Sequence, residues 1–278
     1  MNQRTFGISL AAWSLHRTIG EEAGRVPMLD MPKMTRQDFG IDGLELVSTM
    51  LASTDAPYLA RLAKNASDNN VRLLLIMIDD EGDVAAEDVD AQHDAVARHK
   101  KWIDIAADFG CHSIRLNWRG TDPDAAKKPR VCRAMIERSV LPLRTLCDYG
   151  DKKEVNVLLE NHGGPSSYPE AVVPLVLAVD HPRFGTLPDF GNYPPDVDIY
   201  LATDLLMNFA KSVSAKCMDF DDVTGLESTM DFERLIEIVV DKHGYRDYIG
   251  IEYGGERLTE ADGILACKRL LERLRDSA

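Results

Sequence analysis

The stretch Val157-Leu158-Leu159-Glu160 decides how this sequence folds, because an apolar run ends there in a carboxylate. The same design returns in Gly185-Thr186-Leu187-Pro188-Asp189 and in Ile249-Gly250-Ile251-Glu252. Apolar runs of this length are typical of strands that are buried on both faces, as in parallel sheets. A carboxylate at the end of a buried strand loses hydration and needs compensation. Three such carboxylates therefore predict a common partner, and a divalent cation is the simplest one.

Strand-like runs alternate with amphipathic helical stretches along the whole chain. The eight predicted strands are residues 6–10, 43–47, 72–78, 113–117, 155–160, 184–189, 212–217 and 249–253. The clearest predicted helices are residues 87–109, 125–149, 231–242 and 259–275. Repeated βα units imply a parallel sheet, and eight of them predict one (β/α)8 TIM barrel over residues 1–278. A doubly wound sheet is the alternative, but no Gly-rich nucleotide-binding turn follows the first strand.

Side-chain alternation along the predicted strands agrees with a barrel. In the fourth strand, Arg115 and Asn117 face one side, while Ile114 and Leu116 face the other. Small or polar side chains thus point toward the barrel axis, and aliphatic side chains point toward the helices. The polar inward residues cluster near the carboxyl ends of the strands, where TIM-barrel enzymes place their active sites.

Composition excludes several classes of function. The net charge of −14 argues against a protein that binds nucleic acid or an anionic membrane, since both need a basic surface. The five cysteines are scattered and lack CxxC spacing, so structural zinc and a disulfide framework are not expected. Together with the lack of an apolar run long enough for a signal peptide or a membrane span, this predicts a cytoplasmic protein.

Glu160, Asp189 and Glu252 are the predicted metal ligands, because carboxylate oxygens suit Mg²⁺ or Mn²⁺. The alternative is that each carboxylate caps a helix or pairs with an arginine or lysine. Lys216, on the predicted seventh strand, is expected to stabilise an enolate oxygen or to pair with Asp189 or Glu252. His162 lies two residues beyond Glu160 and is a candidate for proton transfer.

Further residues are expected to contact a substrate, since they lie at the carboxyl ends of strands or in the loops that follow. The predicted substrate-binding residues are Glu45, Arg115, Asn117, Asn192, His16 and Trp13. Trp118 is a second candidate for an apolar wall against a sugar ring, although core packing is the commoner role of tryptophan. For Arg115 and Asn117, a structural layer inside the barrel is an equally good interpretation.

These motifs, in this order, resemble the sugar phosphate isomerase/epimerase family, the xylose isomerase-like TIM barrels. The resemblance covers nearly the whole chain and rests on residues 41–45, 158–162, 187–192, 215–216 and 250–253. It implies that Glu160, Asp189 and Glu252 are three of four ligands to a divalent metal. It also implies that the two glutamates exchange a proton with the carbon next to a ketose carbonyl.

The sequence departs from the family pattern at two positions. Ser214 stands where the family has a histidine ligand, and Asn192 stands where a histidine often follows the sixth-strand aspartate. A hydroxyl is a poorer ligand than imidazole for a first-row metal such as Mn²⁺, Zn²⁺ or Co²⁺. The site is therefore expected to bind metal weakly, to use Asp219 as a substitute ligand, or to hold no metal and rely on Lys216. A weak or substituted metal site is the favoured interpretation.

The predicted function is a sugar or keto-sugar isomerase or epimerase that works by carboxylate-mediated proton transfer through an enediolate. Dehydration of a keto-sugar by a lyase uses the same chemistry and is the runner-up. A non-catalytic sugar-binding barrel is a third interpretation, and a DNA-repair endonuclease of the related barrel type would need a His-rich, multi-zinc site and a basic face. The expected partner is a small carbohydrate, and a homodimer is expected from the family alone.

Overall fold

Eight parallel strands alternate with helices in the computed structural model, which describes residues 4–277. The strands are β1 Gly7–Ala11, β2 Gly43–Val47, β3 Arg72–Met77, β4 Ser113–Leu116, β5 Asn156–Glu160, β6 Phe184–Leu187, β7 Val213–Cys217 and β8 Tyr248–Tyr253. The helices are α1 Met31–Gln37, α2 Ala56–Asp68, α3 Val89–Phe109, α4 Pro129–Asp151, α5 Pro169–Val179, α6 Ile199–Met207, α7 Phe232–Ile236 and α8 Glu260–Asp276. The predicted number of strands and their alternation with helices are confirmed.

Polar side chains cap the first turns of several of these helices. Asp88 accepts a hydrogen bond from the amide of Ala91 at the start of α3, and Thr259 accepts one from Asp262 at the start of α8. Such caps satisfy amide groups that have no partner within the helix. Gly110 ends α3 in the left-handed conformation with a φ of 71°, which glycine adopts without steric cost.

All eight strands belong to one sheet, in the order β6-β5-β4-β3-β2-β1-β8-β7. The chain also divides into two compact units, residues 75–211 and residues 4–74 with 212–277. The prediction of a single domain is not tested by this division and stays a prediction. The carboxyl ends of parallel strands lie at the same edge of a sheet. In TIM-barrel enzymes, this edge carries the active site.

The unit of residues 75–211 contains β4, β5, β6 and helices α3 to α6. Register pairs Arg115 of β4 with Leu158 of β5, and Glu160 of β5 with Leu187 of β6. The strands are almost entirely buried, as their Leu, Ile and Val content requires. Glu160 is therefore the last residue of a strand whose other side chains form the core.

The unit of residues 4–74 and 212–277 contains β1, β2, β7, β8 and helices α1, α2, α7 and α8. Strand β1 pairs with β2 and with β8, and β8 pairs with β7. Lys216 of β7 is the direct register partner of Glu252 of β8. In a parallel sheet, such neighbours present side chains to the same face, which brings the ammonium group to the carboxylate.

Several element boundaries differ from the sequence predictions. Strand β6 ends at Leu187, two residues early, because Pro188 has no amide hydrogen for the ladder. The helix predicted over residues 125–149 is α4, which begins later, at Pro129, and continues to Asp151. The predicted helix over residues 231–242 is a short α-helix, α7, followed by a π-helical turn over Glu237–Lys242.

Trp118 is not the apolar wall of a sugar site that the sequence suggested. Its side chain is fully buried, and its indole N–H donates to Ser139 Oγ at 2.9 Å. Ser139 belongs to α4, so this tryptophan fastens the end of β4 to a covering helix. Within residues 4–277, the helices are either too short or too polar to cross a membrane.

Candidate active site

Glu160 is held in place by a buried arginine. Its carboxylate Oε2 lies 2.6 Å from Arg115 Nε, and the side chains of both residues are almost fully buried. On the other carboxylate oxygen, Oε1 accepts a hydrogen bond of 3.0 Å from Asn192 Nδ2. The arginine compensates the negative charge at the end of β5, so the sequence prediction of a compensated carboxylate is met here by a residue of the chain itself. Pairing of the carboxylate with an arginine or lysine was the alternative to metal binding in the sequence analysis.

Asp79 shares the same arginine. Arg115 Nη1 donates to Asp79 Oδ1 at 2.9 Å, and Asn117 Nδ2 donates to the same oxygen at 2.7 Å. Burial alone would raise the pKa of the Asp79 carboxyl, but the charge and hydrogen bonds of Arg115 and Asn117 outweigh it and lower the pKa below its usual value. Asp79 is therefore an anion that fixes two side chains of β4 and the loop after it.

His162 joins this network through Asn117. The Asn117 amide is oriented by Asp79 on its nitrogen and by Arg115 on its oxygen, which accepts from Arg115 Nη1 at 3.2 Å. The same amide oxygen can only accept, and it lies 2.8 Å from His162 Nδ1, so it accepts a hydrogen bond when that nitrogen carries the ring proton. The sequence predicted both residues, and the structure connects them.

Asp189 follows β6 and is fully buried. Its backbone amide donates to Asn161 Oδ1 at 2.7 Å, and Asn161 Nδ2 donates back to its carbonyl oxygen at 2.8 Å. The carboxylate Oδ1 accepts from the amide of Gly191 at 2.8 Å. The loops after β5 and β6 are thus tied together by a reciprocal amide pair, which sets the direction of the Asp189 side chain.

A cavity of about 750 Å³ lies beside these groups in the same unit. Its wall includes His162 and Asn192, which contact Asn117 and Glu160 respectively. A volume of this size is within the range of small-molecule sites. Two of the predicted substrate or proton-transfer residues therefore line a space that can hold a ligand.

In the other unit, Glu252 pairs with Lys216. Lys216 Nζ lies 2.5 Å from Glu252 Oε1, and the carboxylate is buried. The ion pair between Lys216 and Glu252 was one of the two roles that the sequence left open. Ser214, where the family pattern has a histidine, is also buried, and within residues 4–277 its hydroxyl has no hydrogen-bond partner.

Glu45, predicted to bind substrate, is a buried residue of β2. Its Oε1 accepts from Ser9 Oγ at 2.6 Å, and a Cβ atom on Gly250 would lie within 2.4 Å of that oxygen. Only a glycine at position 250 leaves room for this buried carboxylate. The structure thus places Glu45 against β1 and β8, and its predicted contact with a substrate stays a prediction.

Trp13 and His16 follow β1 and form a partly exposed aromatic pair. Their rings stack at a centroid distance of 4.9 Å with an angle of 13° between planes. His16 Nδ1 also contacts the Trp13 carbonyl oxygen at 2.9 Å. A stacked and partly exposed indole suits the apolar face of a sugar ring, so the predicted role of both residues is compatible with their position.

Asp219, proposed as a substitute ligand, has a different partner. Its Oδ1 lies 2.7 Å from Arg257 Nε and accepts from the amide of Phe220. The hydrogen bond from Arg257 lowers the pKa of the Asp219 carboxyl. Arg257 thus occupies Asp219 Oδ1 in this structure, and a role for Asp219 in metal binding stays a prediction.

Glu160 and Asp189 lie in the unit of residues 75–211, and Glu252 lies in the other unit. All three carboxylates are buried, and each offers oxygen donors to a metal ion. Three oxygen donors suit a hard cation such as Mg²⁺ or Mn²⁺, so the donor set fits the predicted group chemically. Because Arg115 and Lys216 already offset two of the negative charges, the attraction for a divalent ion is reduced.

Comparison with known proteins identifies the family. The model of the xylose isomerase-like TIM barrel family matches residues 36–276. The chain belongs to this family. The predicted TIM-barrel fold and the predicted family are thereby confirmed. A search of curated proteins finds no match to the sequence.

Solved structures of this family resemble the chain along nearly its whole length. An L-ribulose 3-epimerase has a TM-score of 0.77 and 14% sequence identity, covering 97% of this chain and 94% of its own. A xylose isomerase-like TIM barrel protein from Mycobacterium smegmatis, in complex with magnesium, has a TM-score of 0.69 and 18% identity, covering 98% and 97%. A probable 3-DHS dehydratase from Bacillus anthracis has a TM-score of 0.68 and 16% identity, covering 96% and 98%. At these identities, the likeness establishes the fold.

Sequence reasoning missed Asp79, although a usable signal was present. The apolar run of β3 continues to Ile78 and then ends in Asp79, which is the same pattern that singled out Glu160. Asn161 and Arg119 lie in loops and carried no periodic signal. The structure adds these three residues to the surroundings of Glu160, Asp189 and the cavity.

Proposed function

We propose that this chain is an enzyme that isomerises or epimerises a sugar or keto-sugar by moving a proton next to a carbonyl group. The observation that carries the proposal is the buried strand-end carboxylate of Glu160, which Arg115 and Asn192 hold beside a cavity of the same unit. With Glu252, its partner in the sequence prediction, it can remove a proton from one carbon and return a proton to another carbon or another face. Family membership and the likeness to an L-ribulose 3-epimerase support the same chemistry.

Each residue has a role in this mechanism. One of Glu160 and Glu252 takes the proton, and the other returns it. The Lys216 ammonium group, 2.5 Å from Glu252, supplies a positive charge for the enediolate oxygen that develops as the proton leaves. Asn192 and His162 line the cavity and hold substrate hydroxyl groups there, while Trp13 and His16 cover the apolar face of the sugar.

Glu160, Asp189 and Glu252 would hold a divalent cation. When bound, such an ion polarises the substrate carbonyl and stabilises negative charge on its oxygen. Because Arg115 and Lys216 compete for the same carboxylates, we propose that the ion binds weakly. Likeness to a family structure that contains magnesium supports a divalent ion without deciding which one.

Loss of water from a keto-sugar is the second candidate function. It begins with the same proton removal and differs in the next step: the C–O bond on the next carbon breaks, and the departing hydroxide takes a proton from the second glutamate and leaves as water. The likeness to a probable 3-DHS dehydratase, with a TM-score of 0.68, supports this second function. The products separate the two, since elimination gives an unsaturated ketone and epimerisation gives a stereoisomer.

The test is a screen of ketopentoses, ketohexoses and keto-glycosides in D₂O with Mg²⁺ or Mn²⁺, followed by proton NMR. We expect deuterium at the carbon next to the carbonyl, together with a stereoisomer or an unsaturated product. Glu160→Gln and Glu252→Gln should each lower the turnover by about 10²–10⁴-fold, the usual contribution of a positioned acid or base. Glu137→Gln, a change on the exposed face of α4, is the matched control and should leave turnover unchanged.

Two results would overturn the proposal. Wild-type turnover in either glutamine variant would remove that carboxylate from the mechanism. Binding of sugars without any deuterium exchange, across the whole screen, would identify the chain as a sugar-binding barrel without catalysis.

A further inference from the structure

The charge of the cavity differs from that of the protein as a whole. The chain carries a net charge of −14, yet no aspartate or glutamate is among the residues of 4–277 that line the cavity of about 750 Å³. Arg119 is part of that wall and is its one residue with a permanent positive charge among residues 4–277. A ligand in this cavity therefore meets a positive charge in an otherwise acidic molecule.

Arg119 is not used to neutralise a carboxylate of the chain. Within residues 4–277, its guanidinium forms no ion pair. The Nη2 atom lies 3.3 Å from His162 Nδ1. By contrast, Arg115 pairs with Glu160 and Arg257 pairs with Asp219. The charge of Arg119 is thus available to a ligand.

The backbone around Arg119 is fixed, although its side chain is exposed. The amides of Arg119 and Gly120 both donate to Asp83 Oδ2, at 3.1 Å and 2.5 Å. On the other side, the loop packs against Gly164, where a Cβ atom would lie 3.6 Å from the Arg119 carbonyl oxygen. Asp83 thereby fixes the backbone of Arg119 beside the cavity and leaves its side chain without a carboxylate partner among the described residues.

Backbone amides of the neighbouring loop do not compete for this role. The amides of His162 and Gly163 already donate to Ser166 Oγ and Ser167 Oγ, each at 2.9 Å. These amide groups are therefore not donors to an anion. Recognition of a negative group in the cavity would depend on the arginine side chain.

The cavity also leads to the proposed catalytic groups. Asn192 forms part of its wall and donates to Glu160 at 3.0 Å, and His162 forms part of its wall and contacts Asn117 at 2.8 Å. A substrate that reaches Glu160 through this space would extend its far end toward Arg119.

We propose that the substrate carries an anionic group, a phosphate or a carboxylate, and that Arg119 binds this group and determines the specificity for it. Planar guanidinium matches both groups through paired N–H donors. The inference rests on the proposed function for the reaction at the other end of the substrate, but the binding it predicts is measured without turnover. It narrows the substrate class to acidic sugars.

The experiment measures binding by titration calorimetry with three probes: a ketopentose (ribulose), its phosphate ester (ribulose phosphate) and a sugar keto acid (ketogluconate). We expect at least one of the two anionic probes to bind wild-type protein about tenfold or more tightly than ribulose, since hydrogen bonds to charged groups contribute more than neutral ones. Comparison of the two anionic probes decides between phosphate and carboxylate. The preference should shrink as salt is added, because Arg119 is exposed to solvent.

Arg119→Ala should abolish the preference for the anionic probe and leave the binding of ribulose unchanged, while Arg119→Lys should keep part of it. Arg133→Ala, which removes an exposed arginine of α4, is the matched control and should keep the full preference. The proposal is overturned if the neutral probe binds as tightly as both anionic probes, or if Arg119→Ala retains the preference. Neither result contradicts the proposed proton transfer. Tight binding of an anionic probe without deuterium exchange would contradict the proposed reaction, but it would support the anion site at Arg119.

Discussion

The two catalytic glutamates of the proposal are held by different kinds of cation. Glu160 is paired with Arg115, whose side chain is 4% exposed and which also binds Asp79. Glu252 is paired with Lys216, whose side chain is 14% exposed. The guanidinium is a rigid planar donor, whereas the ammonium is a point charge on a flexible stem.

This difference suggests different tasks for the two carboxylates. Glu160, fixed by Arg115 and Asn192, keeps one position relative to the ligand. Lys216 can turn from Glu252 toward an oxygen of the substrate at small cost, because its stem rotates and its charge is partly hydrated. We infer that the arginine serves mainly to hold the site together and that the lysine takes part in the reaction.

The largest expected difference is in stability. Arg115→Met should lower the free energy of unfolding by about 3–5 kcal/mol, because it leaves Glu160 and Asp79 buried or half-buried without their shared cation. Lys216→Met should cost less, about 1–2 kcal/mol, because water reaches that pair more easily. Urea unfolding of both variants measures the difference, and equal losses would show that the two pairs are energetically alike.

For Glu160→Gln, the structure revises what sequence alone suggests. From sequence alone, replacing a catalytic strand-end carboxylate by an amide is expected to cost little stability. Here the substitution also removes the partner of a buried arginine, so Glu160→Gln should be less stable than Glu252→Gln. The activity comparison therefore needs conditions in which both variants are fully folded.

The next prediction concerns the competition between Lys216 and a metal ion. Lys216→Met should strengthen Mn²⁺ binding by about tenfold or more, because a unit positive charge beside a ligand carboxylate opposes the bound cation. Electron paramagnetic resonance of free Mn²⁺ during titration measures the affinity. Lys268→Met, which breaks an ion pair within α8, is the control and should change nothing. Unchanged affinity in Lys216→Met would mean that Glu252 is not a ligand of the ion.

The fold was predictable because buried parallel strands leave a strong signal. The Leu, Ile and Val runs of β3 and β5 and the amphipathic pattern of α3 and α8 each report a local preference that the structure keeps. Strand ends were less predictable, as in β6, where a single proline ends the ladder. The π-helical turn after α7 was not predictable, because it changes hydrogen bonding without changing the apolar pattern.

The candidate site was predictable only in part. The positions of the carboxylates follow from the strands, so the burial of Glu160, Asp189 and Glu252 at or just after strand ends could be predicted from the sequence, while their role as metal ligands stays a prediction. The pairing of Lys216 with Glu252 was one of the two roles that the sequence left open for Lys216. The pairing of Arg115 with Glu160 was not named, because it depends on the neighbours that the sheet creates. Arg119 and Asp83 meet through loop geometry, which leaves no periodic signal in the sequence.

The smallest expected effect is a pH dependence that separates the arginine network from the lysine pair. Asp79 has a lowered pKa in the folded protein, so its ionised form contributes stability above the ordinary carboxyl pKa of 3.8, and this contribution is lost as the pH falls through the lower folded value. Asp79→Asn should therefore be less stable than wild type at neutral pH, and the gap should narrow steadily under acid conditions. Urea unfolding from neutral to acid pH measures the gap, with Asp68→Asn as an exposed control that shows little change. If the difference in unfolding free energy stayed constant over this range, Asp79 would orient Arg115 and Asn117 as a neutral hydrogen-bonding group. The network around Arg115 would then carry one negative charge less than the geometry assigns to it.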